Sequence, residues 1–448
     1  MNTFVGRIKR GILLGGDVFM LYLALFLTLV FRYGADWPKN WDDHFLPFTF
    51  IYAFSLIVFY IIGLYDIHVA QNNLSFFLTL TRAIFINAVL SIGFFYFIPF
   101  FGISPKTNLF LNIFIFALIF ILWRQIYNHF IKSPNLLNNI MVLGESQETK
   151  ELTSYIKANP QLGYRIKKIV DPGEVKVLHD LIEIIIQEKI QLILTTVSPH
   201  KDLNLVRNLY QCIPLKVVVS ELPSFYEKIT GKIPVSAIEE VWFLENLMTD
   251  RKTIFTGLKR ALDVFISLVL GIFALILTPL IAALVKLSSP GPIFYYQKRV
   301  GQDNQIFEII KFRTMIHNAE KNGAQWSREK DDRITWSGKF LRKTRLDELP
   351  QLLNILKGEM SFVGPRPERP EFAFSTEILA KIPFYQVRHS IKPGLTGWAQ
   401  IKYPYGASIE DTLQKLQYDL FYIKNRSFAL EIAIILKTIK IILSGGGR

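Results

Sequence analysis

The chain has 448 residues, half of them hydrophobic, and a formal net charge of +14, with a mean hydropathy of +0.28. This composition excludes an ordinary soluble protein and allows two or three domains. The single cysteine, Cys212, excludes a disulfide framework and a cysteine-based metal site, and it fits a reducing compartment. Charge is unevenly distributed. Residues 1–137 carry 9 Lys and Arg against 5 Asp and Glu, residues 138–250 carry 12 against 15, and residues 251–448 carry 30 against 17. The middle therefore reads as a soluble domain. The last part reads as a region that meets an anion, whether a membrane surface, a nucleotide or a phospholipid.

In chain order, Arg7, Lys9 and Arg10 precede an apolar run at roughly 11–31. It is long enough to span a bilayer and is followed by no small-residue cleavage site, so a span rather than a signal peptide is expected. Three more runs lie at roughly 46–65, 83–102 and 108–123. Arg82 falls between the second and third runs, and Arg124 and Lys132 follow the fourth. The other two loops carry fewer cations, Arg32 and Lys39 in one and Lys106 in the other. The positive-inside rule then places both ends of a four-helix unit in the cytoplasm. Asp17, inside the first run, reads either as a functional carboxylate or as a helix-packing residue.

Between 138 and 247, the runs IMVLG (140–144), LILTTVS (192–198) and LKVVVS (215–220) read as buried strands, and 148–158 and 176–189 have helical character. The pattern predicts a small α/β doubly wound, Rossmann-like domain. Gly144-Glu145-Ser146-Gln147-Glu148 follows the first strand. It lacks the glycines of G-x-G-x-x-G and adds two carboxylates where a pyrophosphate would lie. Tyr164 and Lys168 have the spacing of a dehydrogenase couple but come too early in such a fold. The domain reads as structural or regulatory.

A fifth apolar run, about 261–287, is also long enough to cross. Thr278-Pro279 stands in its middle, and proline kinks or breaks a helix. Lys259, Arg260 and Asp263 flank one end, and Lys286, Lys298 and Arg299 the other. Positive charge at both ends predicts a hairpin that enters and leaves by one face; a kinked spanning helix is the alternative. The run 428–443, with Glu431, Lys437 and Lys440, predicts an interfacial amphipathic helix. Residues 444–448 read as a flexible tail.

The most informative short segment is Arg345-Leu346-Asp347-Glu348-Leu349-Pro350-Gln351, in the most basic part of the chain. Of two adjacent carboxylates among cations, one can attack phosphorus while the other holds a divalent metal. The following QLLNIL reads as a helix with Pro350 in its first turn, and a helix N-terminus favours anions. Taken alone, the pair serves equally well as caps of that helix.

From about residue 255 onward the chain resembles the bacterial sugar transferase family, the monotopic phosphoglycosyl transferases. The matching blocks are SSPGPIFYYQKRVG (288–301), KFRTM (311–315), GKFLRKTRLDELPQLLNILKGEMSFVGPRP (338–367), KPGLTGWAQI (392–401) and YDLFYIKNRS (418–427). Their number and order make the resemblance specific. The N-terminal helices and the degenerate Rossmann-like domain resemble the large-subfamily architecture, by architecture more than by motif.

The resemblance implies transfer of a hexose-1-phosphate from a UDP-sugar to undecaprenyl phosphate through a phosphosugar-aspartyl intermediate. UMP is released, and capsule, O-antigen or exopolysaccharide synthesis begins. It implies Mg2+ as cofactor and a re-entrant membrane helix broken at a Ser-Pro pair, where this chain has Thr278-Pro279. It also implies a place in the bacterial inner (plasma) membrane, multi-pass, with the catalytic domain on the cytoplasmic face. Asp347 is then the nucleophile and Glu348 the Mg2+ ligand. Arg342 and Arg366, the latter in Gly364-Pro365-Arg366-Pro367, are phosphate clamps. Arg299, Lys311, Arg313 and Arg345 are second choices that could instead meet lipid headgroups. Phe312 and Trp398 read as packing, and His317 and His389 as structural.

The expected fold class is a membrane α-helical bundle of four spans (1–135), a small α/β Rossmann-like domain (136–250) and a mixed α/β, mainly helical catalytic domain (251–448) with a re-entrant membrane helix at 259–287. Expected partners are a UDP-sugar, undecaprenyl phosphate and membrane lipids. A homodimer stays open, and no nucleic acid is expected. Two rival readings are a nucleotide-sugar dehydratase or epimerase working through the middle domain, and a non-enzymatic membrane scaffold. The hexose is left open.

Overall fold

A computed structural model describes residues 4–97, 106–131, 137–171, 178–196, 203–247, 253–317, 319, 331–403, 406 and 408–443. The expected tail at 444–448 lies outside them. The three expected segments fall into two compact units, 1–229 and 230–448.

The first unit opens with α1 (Phe4–Tyr33), α2 (Trp41–Ile62), α3 (Leu74–Phe97) and α4 (Lys106–Phe130). The apolar stretches Ile8–Ile62, Leu74–Phe97 and Thr107–Phe130 are long and apolar enough to cross a membrane. Helix α3 starts well before the expected run because hydropathy marks lipid contact, whereas the helix starts at its cap. The Asn73 side chain accepts from the Phe76 N–H at 2.8 Å.

Helices α1 to α4 share a core of Leu21, Leu25, Phe48, Phe59, Phe116 and Phe120, among others. Polar groups inside this core find one another, as apolar surroundings demand. Asn112 donates to Thr28 at 3.3 Å and Tyr52 at 3.2 Å, and Ser55 donates to Asn87 at 2.5 Å. The Asp17 question resolves the same way. Its carboxylate is fully enclosed and lies 2.5 Å from the equally enclosed Arg124 guanidinium of α4. Trp123 donates to Asp17 at 3.0 Å, and Arg124 also donates to the Leu64 carbonyl just past α2. Gly16 is what lets the Trp123 ring lie on α1, since a Cβ there would fall 2.0 Å from the ring. Asp17 is a packing residue that ties α1 to α4.

The rest of the first unit is α/β: β1 (Asn138–Leu143), α5 (Gln147–Ala158), β2 (Tyr164–Val170), α6 (Leu178–Gln187), β3 (Leu192–Thr195), α7 (Leu203–Gln211), β4 (Val218–Glu221) and α8 (Leu222–Thr230). The strands form one parallel sheet in the order β2-β1-β3-β4. Strand β2 went unread in the sequence because its Arg165, Lys167 and Lys168 belong to an edge. Tyr164 sits on that edge strand with its ring against Phe225, centroids 5.1 Å apart. Leu13 and Tyr127 of the helices share one buried cluster with Ile140, Val142, Leu222 and Phe225 of the α/β part. That shared core is why both fall into one unit.

The second unit starts with residues 230–247, ahead of the expected boundary at 250/251. Ile233, Val235 and Ile238 are buried against Leu416, Leu420 and Phe421. Next come α9 (Glu240–Leu247) and α10 (Thr253–Ser288), then the hairpin of β5 (Phe294–Val300) and β6 (Ile306–Phe312). These are followed by α11 (Trp336–Thr344), a 3-10 turn (Leu346–Gln351), α12 (Leu352–Lys357) and β7 (Ser361–Val363). Short helices α13 (Pro370–Ala373) and α14 (Thr376–Lys381) lead to β8 (Gly394–Thr396), which pairs with β7 in parallel. Helices α15 (Trp398–Lys402), α16 (Ile409–Lys424) and α17 (Phe428–Leu443) complete the unit, the last coinciding with the expected amphipathic run.

Within α10, Ile254–Ser288 is the fourth stretch long and apolar enough to cross a membrane. The expected interruption at Thr278-Pro279 is not a loss of helix, since α10 runs through both residues. The Thr278 hydroxyl donates to the Ala274 carbonyl at 2.7 Å, beside the N–H that Pro279 lacks. Such a back-bond accompanies bending rather than termination.

The Asp17–Arg124 pair makes a direct prediction. Asp17→Asn leaves Arg124 charged and uncompensated in an apolar bundle, at an expected cost of about 3–5 kcal/mol. The detergent-solubilised variant is expected to melt well below wild type, and Asp17→Asn combined with Arg124→Gln to recover part of the loss. A single variant that melts with wild type would dismiss the pair as a support.

Candidate active site

Helix α11 opens at a Thr335 cap, whose side chain accepts from the Gly338 N–H at 3.0 Å. It closes at Arg345, which has φ +55°, a left-handed conformation a non-glycine residue adopts only when its surroundings impose it. The reversal sends the chain straight into the 3-10 turn that carries Asp347 and Glu348, both 7 % exposed. The expected helix after them is shorter than the sequence suggests. Pro350 falls in the 3-10 turn, and α12 begins at Leu352.

Cations from three other places converge on Glu348. Lys311 of β6 and Arg366 of the Gly364–Pro367 loop both donate to its Oε1, each at 3.1 Å. Arg345 lies 4.0 Å from its Oε2. Burial alone would raise the Glu348 pKa, but Lys311 first, then Arg366 and Arg345, hold it well below the ordinary carboxylate range. Asp347 goes the other way. Burial and then the Glu348 charge push it up to about 6, against the pull of Lys311, Arg342 and Arg366. Adjacent side chains on one turn thus hold opposite acidities, as two distinct chemical roles require.

Other residues hold these groups in register. The Asn354 side chain, fully buried on α12, accepts from the Ile310 N–H at 3.2 Å and donates to the Glu308 carbonyl at 2.7 Å. It fixes the turn bearing Asp347 against the strand bearing Lys311. Arg260 of α10 donates to the Ile355 and Leu356 carbonyls at the end of α12. Asp263, also of α10, accepts from Ser361 Oγ at 2.7 Å and the Phe362 N–H at 3.1 Å, where β7 begins.

Four consecutive carbonyls of the loop after β7 are held. Pro365 O accepts from Gly394 N, Arg366 O from Arg388, Pro367 O from Arg299, and Glu368 O from Val300 N. The close approach at Gly364 needs a glycine at 394, since a Cβ there would sit 2.0 Å from Gly364 N. Arg388, 3 % exposed, is itself clasped by Asp419 at 2.8 Å and Glu368 at 3.7 Å, and donates to Tyr385 OH at 2.9 Å.

The expected site residues therefore divide. Asp347, Glu348, Lys311 and Arg366 come together. Arg342 acts electrostatically on Asp347 and donates to Thr314 at 2.9 Å. Arg299 borders the same cavity, but its guanidinium donates to Pro367 O and to Gln297 at 2.6 Å. Arg313 donates to the Ser289 carbonyl and hydroxyl, where it holds the Ser289–Pro292 turn. Thr278 and Pro279 lie inside α10. His389 pairs with Asn304 and Trp398 donates to the Gly231 carbonyl, as packing residues do.

Arg299, Lys311, Gln351, Arg366 and Gly394 line a small cavity beside the carboxylates. It is a cationic place for an anion, next to one strongly acidic and one weakly acidic carboxyl. Among the described residues no three His, Cys, Asp or Glu side chains converge on one point. A divalent ion here would take most of its ligands from substrate and water, as Mg2+ commonly does. The donor set fits that demand, because Glu348 Oε1 is engaged while Oε2 has only the distant Arg345.

Residues 254–445 match the model of the bacterial sugar transferase family. A UDP-N-acetylgalactosamine-undecaprenyl-phosphate N-acetylgalactosaminephosphotransferase of Aeromonas hydrophila is 40 % identical over 242 residues, 54 % of this chain and 56 % of its own. A UDP-glucose:undecaprenyl-phosphate glucose-1-phosphate transferase of Escherichia coli (strain K12) is 40 % identical over 189 residues, 41 % of this chain and 39 % of its own. A shorter, uncharacterized sugar transferase of Bacillus subtilis (strain 168), EpsL, is 37 % identical over 191 residues, 42 % of this chain and 89 % of its own. The chain thus spans about half or less of the longer relatives it matches.

The raised Asp347 pKa has a consequence for stability. The folded chain holds this proton more tightly than the unfolded one, so Asp347 erodes stability as pH rises from the ordinary carboxylate range to about 6. That cost persists above pH 6. Asp347→Asn is therefore expected to raise the melting temperature at pH 7.5 and to change it little at pH 4. A lower melting temperature at pH 7.5 would mark the carboxylate as a net support. Arg388→Gln is expected to do the reverse, lowering stability by about 3–5 kcal/mol because Asp419 and Glu368 lose their shared cation. Adding Asp419→Asn should recover part of that loss in the same thermal melts.

Proposed function

The chain belongs to the bacterial sugar transferase family, and from that premise we propose that it moves a hexose-1-phosphate from a UDP-sugar to undecaprenyl phosphate. The observation that carries the reading is the buried Asp347–Glu348 pair, with Lys311 and Arg366 bonded to Glu348, beside a cavity lined by Arg299, Lys311 and Arg366.

In this reading an Asp347 carboxylate oxygen attacks the sugar-bearing phosphorus. The bond from that phosphorus to the bridging oxygen breaks, and UMP departs with the electron pair. A phosphosugar-aspartyl intermediate remains. A phosphate oxygen of undecaprenyl phosphate then attacks the same phosphorus, the bond to Asp347 breaks, and the carboxylate is restored. Burial serves the attack, because a poorly solvated carboxylate is a better nucleophile than a hydrated one. Glu348 stays ionised throughout, and it holds Lys311 and Arg366 where they can also meet phosphate oxygens. Glu348, with Asp347 beside it, would hold Mg2+, which when bound neutralises the phosphate oxygens.

The membrane parts fit a lipid acceptor. We read α10 as re-entrant, with Thr278 and Pro279 at its bend and cations at both ends, Lys259 and Arg260 before and Lys286 after. Active site and nucleotide then share the cytoplasmic face of the inner membrane. The amphipathic α17 would lie at the interface beside it. The product would begin a capsule, O-antigen or exopolysaccharide chain. The relatives' names place both N-acetylgalactosamine and glucose among the sugars to test first.

The test is UMP release from a panel of UDP-sugars with undecaprenyl phosphate and Mg2+. Wild type is expected to release UMP in a lipid-dependent way, and Asp347→Asn to lose at least about 10³-fold in rate. Release unaffected by the substitution would reduce Asp347 to a helix cap and favour the scaffold reading. Because only the anionic form of Asp347 attacks, the wild-type rate is expected to fall about tenfold per pH unit below about 6 and to level off above it. A rate flat from pH 5 to 8 would contradict the assignment.

A further inference from the structure

Gln351 closes the turn that carries Asp347 and Glu348, four residues after the proposed nucleophile. Its side chain lines the cavity and is 3 % exposed. Its Nε2 is fully enclosed and meets no acceptor among the described residues. The other polar side chains lining this cavity, Arg299, Lys311 and Arg366, are donors only. Buried polar groups are almost always paired, and leaving one unpaired costs the fold free energy. A group left so beside a reaction centre is one whose partner arrives with the ligand.

The ligand must supply an acceptor, since the cavity's other polar side chains are donors. Three cations around a cavity collect anionic oxygens, and the anionic oxygens of the proposed substrate belong to its phosphates. We propose that Gln351 is a further substrate-contacting residue, whose carboxamide N–H donates to a non-bridging oxygen of the phosphoryl group in transfer. This rests on the functional reading above. The amide neither takes nor gives a proton in either step. It adds a fixed donor where charge develops on the equatorial oxygens. Its neutrality matters, because a further cation here would draw off the Asp347 charge that attacks.

The deciding variants are Gln351→Met, which keeps the length and removes the donor, and Gln351→Ala. Each is compared with wild type by UMP release at saturating undecaprenyl phosphate and by thermal melting in the same detergent. Gln351→Met is expected to melt at or above wild type, because an unpartnered polar group has gone. Its kcat is expected to fall by about 10²–10³-fold, as when one oxyanion donor is removed, with the KM for the UDP-sugar within about threefold. A kcat within about twofold of wild type would overturn the proposal. So would activity that falls only in step with melting temperature in both variants, which would make Gln351 a packing residue. If wild type itself releases no UMP from any UDP-sugar, the functional reading fails and this proposal falls with it. An active wild type with an equally active Gln351→Met removes Gln351 alone.

Discussion

Two adjacent carboxylates cannot be taken out of water unless their charge is answered, and most of the second unit is arranged around that demand. Glu348 is answered twice at one oxygen, by Lys311 and Arg366, and once more at a distance by Arg345. Asp347 receives only partial compensation, and its raised pKa records the shortfall. Lys311 and Arg366, which make burial of the pair tolerable, also line the cavity that an incoming phosphate would find. Structure and chemistry draw on one set of charges.

Supplying those charges requires a β-hairpin, a proline-flanked loop and a reversing turn to meet within hydrogen-bonding distance. No single element is long enough to impose that meeting, so side chains do it. Asn354 ties hairpin to turn, Arg388 and Arg299 tie the loop to its surroundings, and Arg260 and Asp263 carry the register back to α10. The helix with the membrane-length apolar run is therefore also a structural support of the carboxylate site.

Much of this was legible in the sequence. The apolar runs place the long helices, the alternating pattern places the central strands, and the Asp-Glu pair with Arg366 stands out by local motif. What escaped shares a physical character. Glu368, Arg388 and Asp419 form one buried cluster from three stretches, and nothing local marks charged residues as neighbours across such separations. Strand β2 escaped because Arg165, Lys167 and Lys168 break its apolar pattern, while β4, expected to be buried, is the other edge and leaves Val218 and Val219 exposed. Arg299 and Arg313, second choices as phosphate ligands, place donors on nearby backbone and side-chain oxygens, which no local motif announces. Gln351 escaped because an amide in a helical motif looks like surface polarity until its burial is known.

The Asp17–Arg124 pair bears on how the chain is made as well as how it stands. The acid sits in the first long helix and the base in the fourth, so each must enter an apolar phase before its counter-ion is at hand. An isolated charge there is expensive enough to keep a helix at the interface or drive it back toward water. The first helix therefore keeps an unanswered carboxylate until the fourth has been synthesised. Pairing is a late event in the making of the bundle, and it answers both charges together.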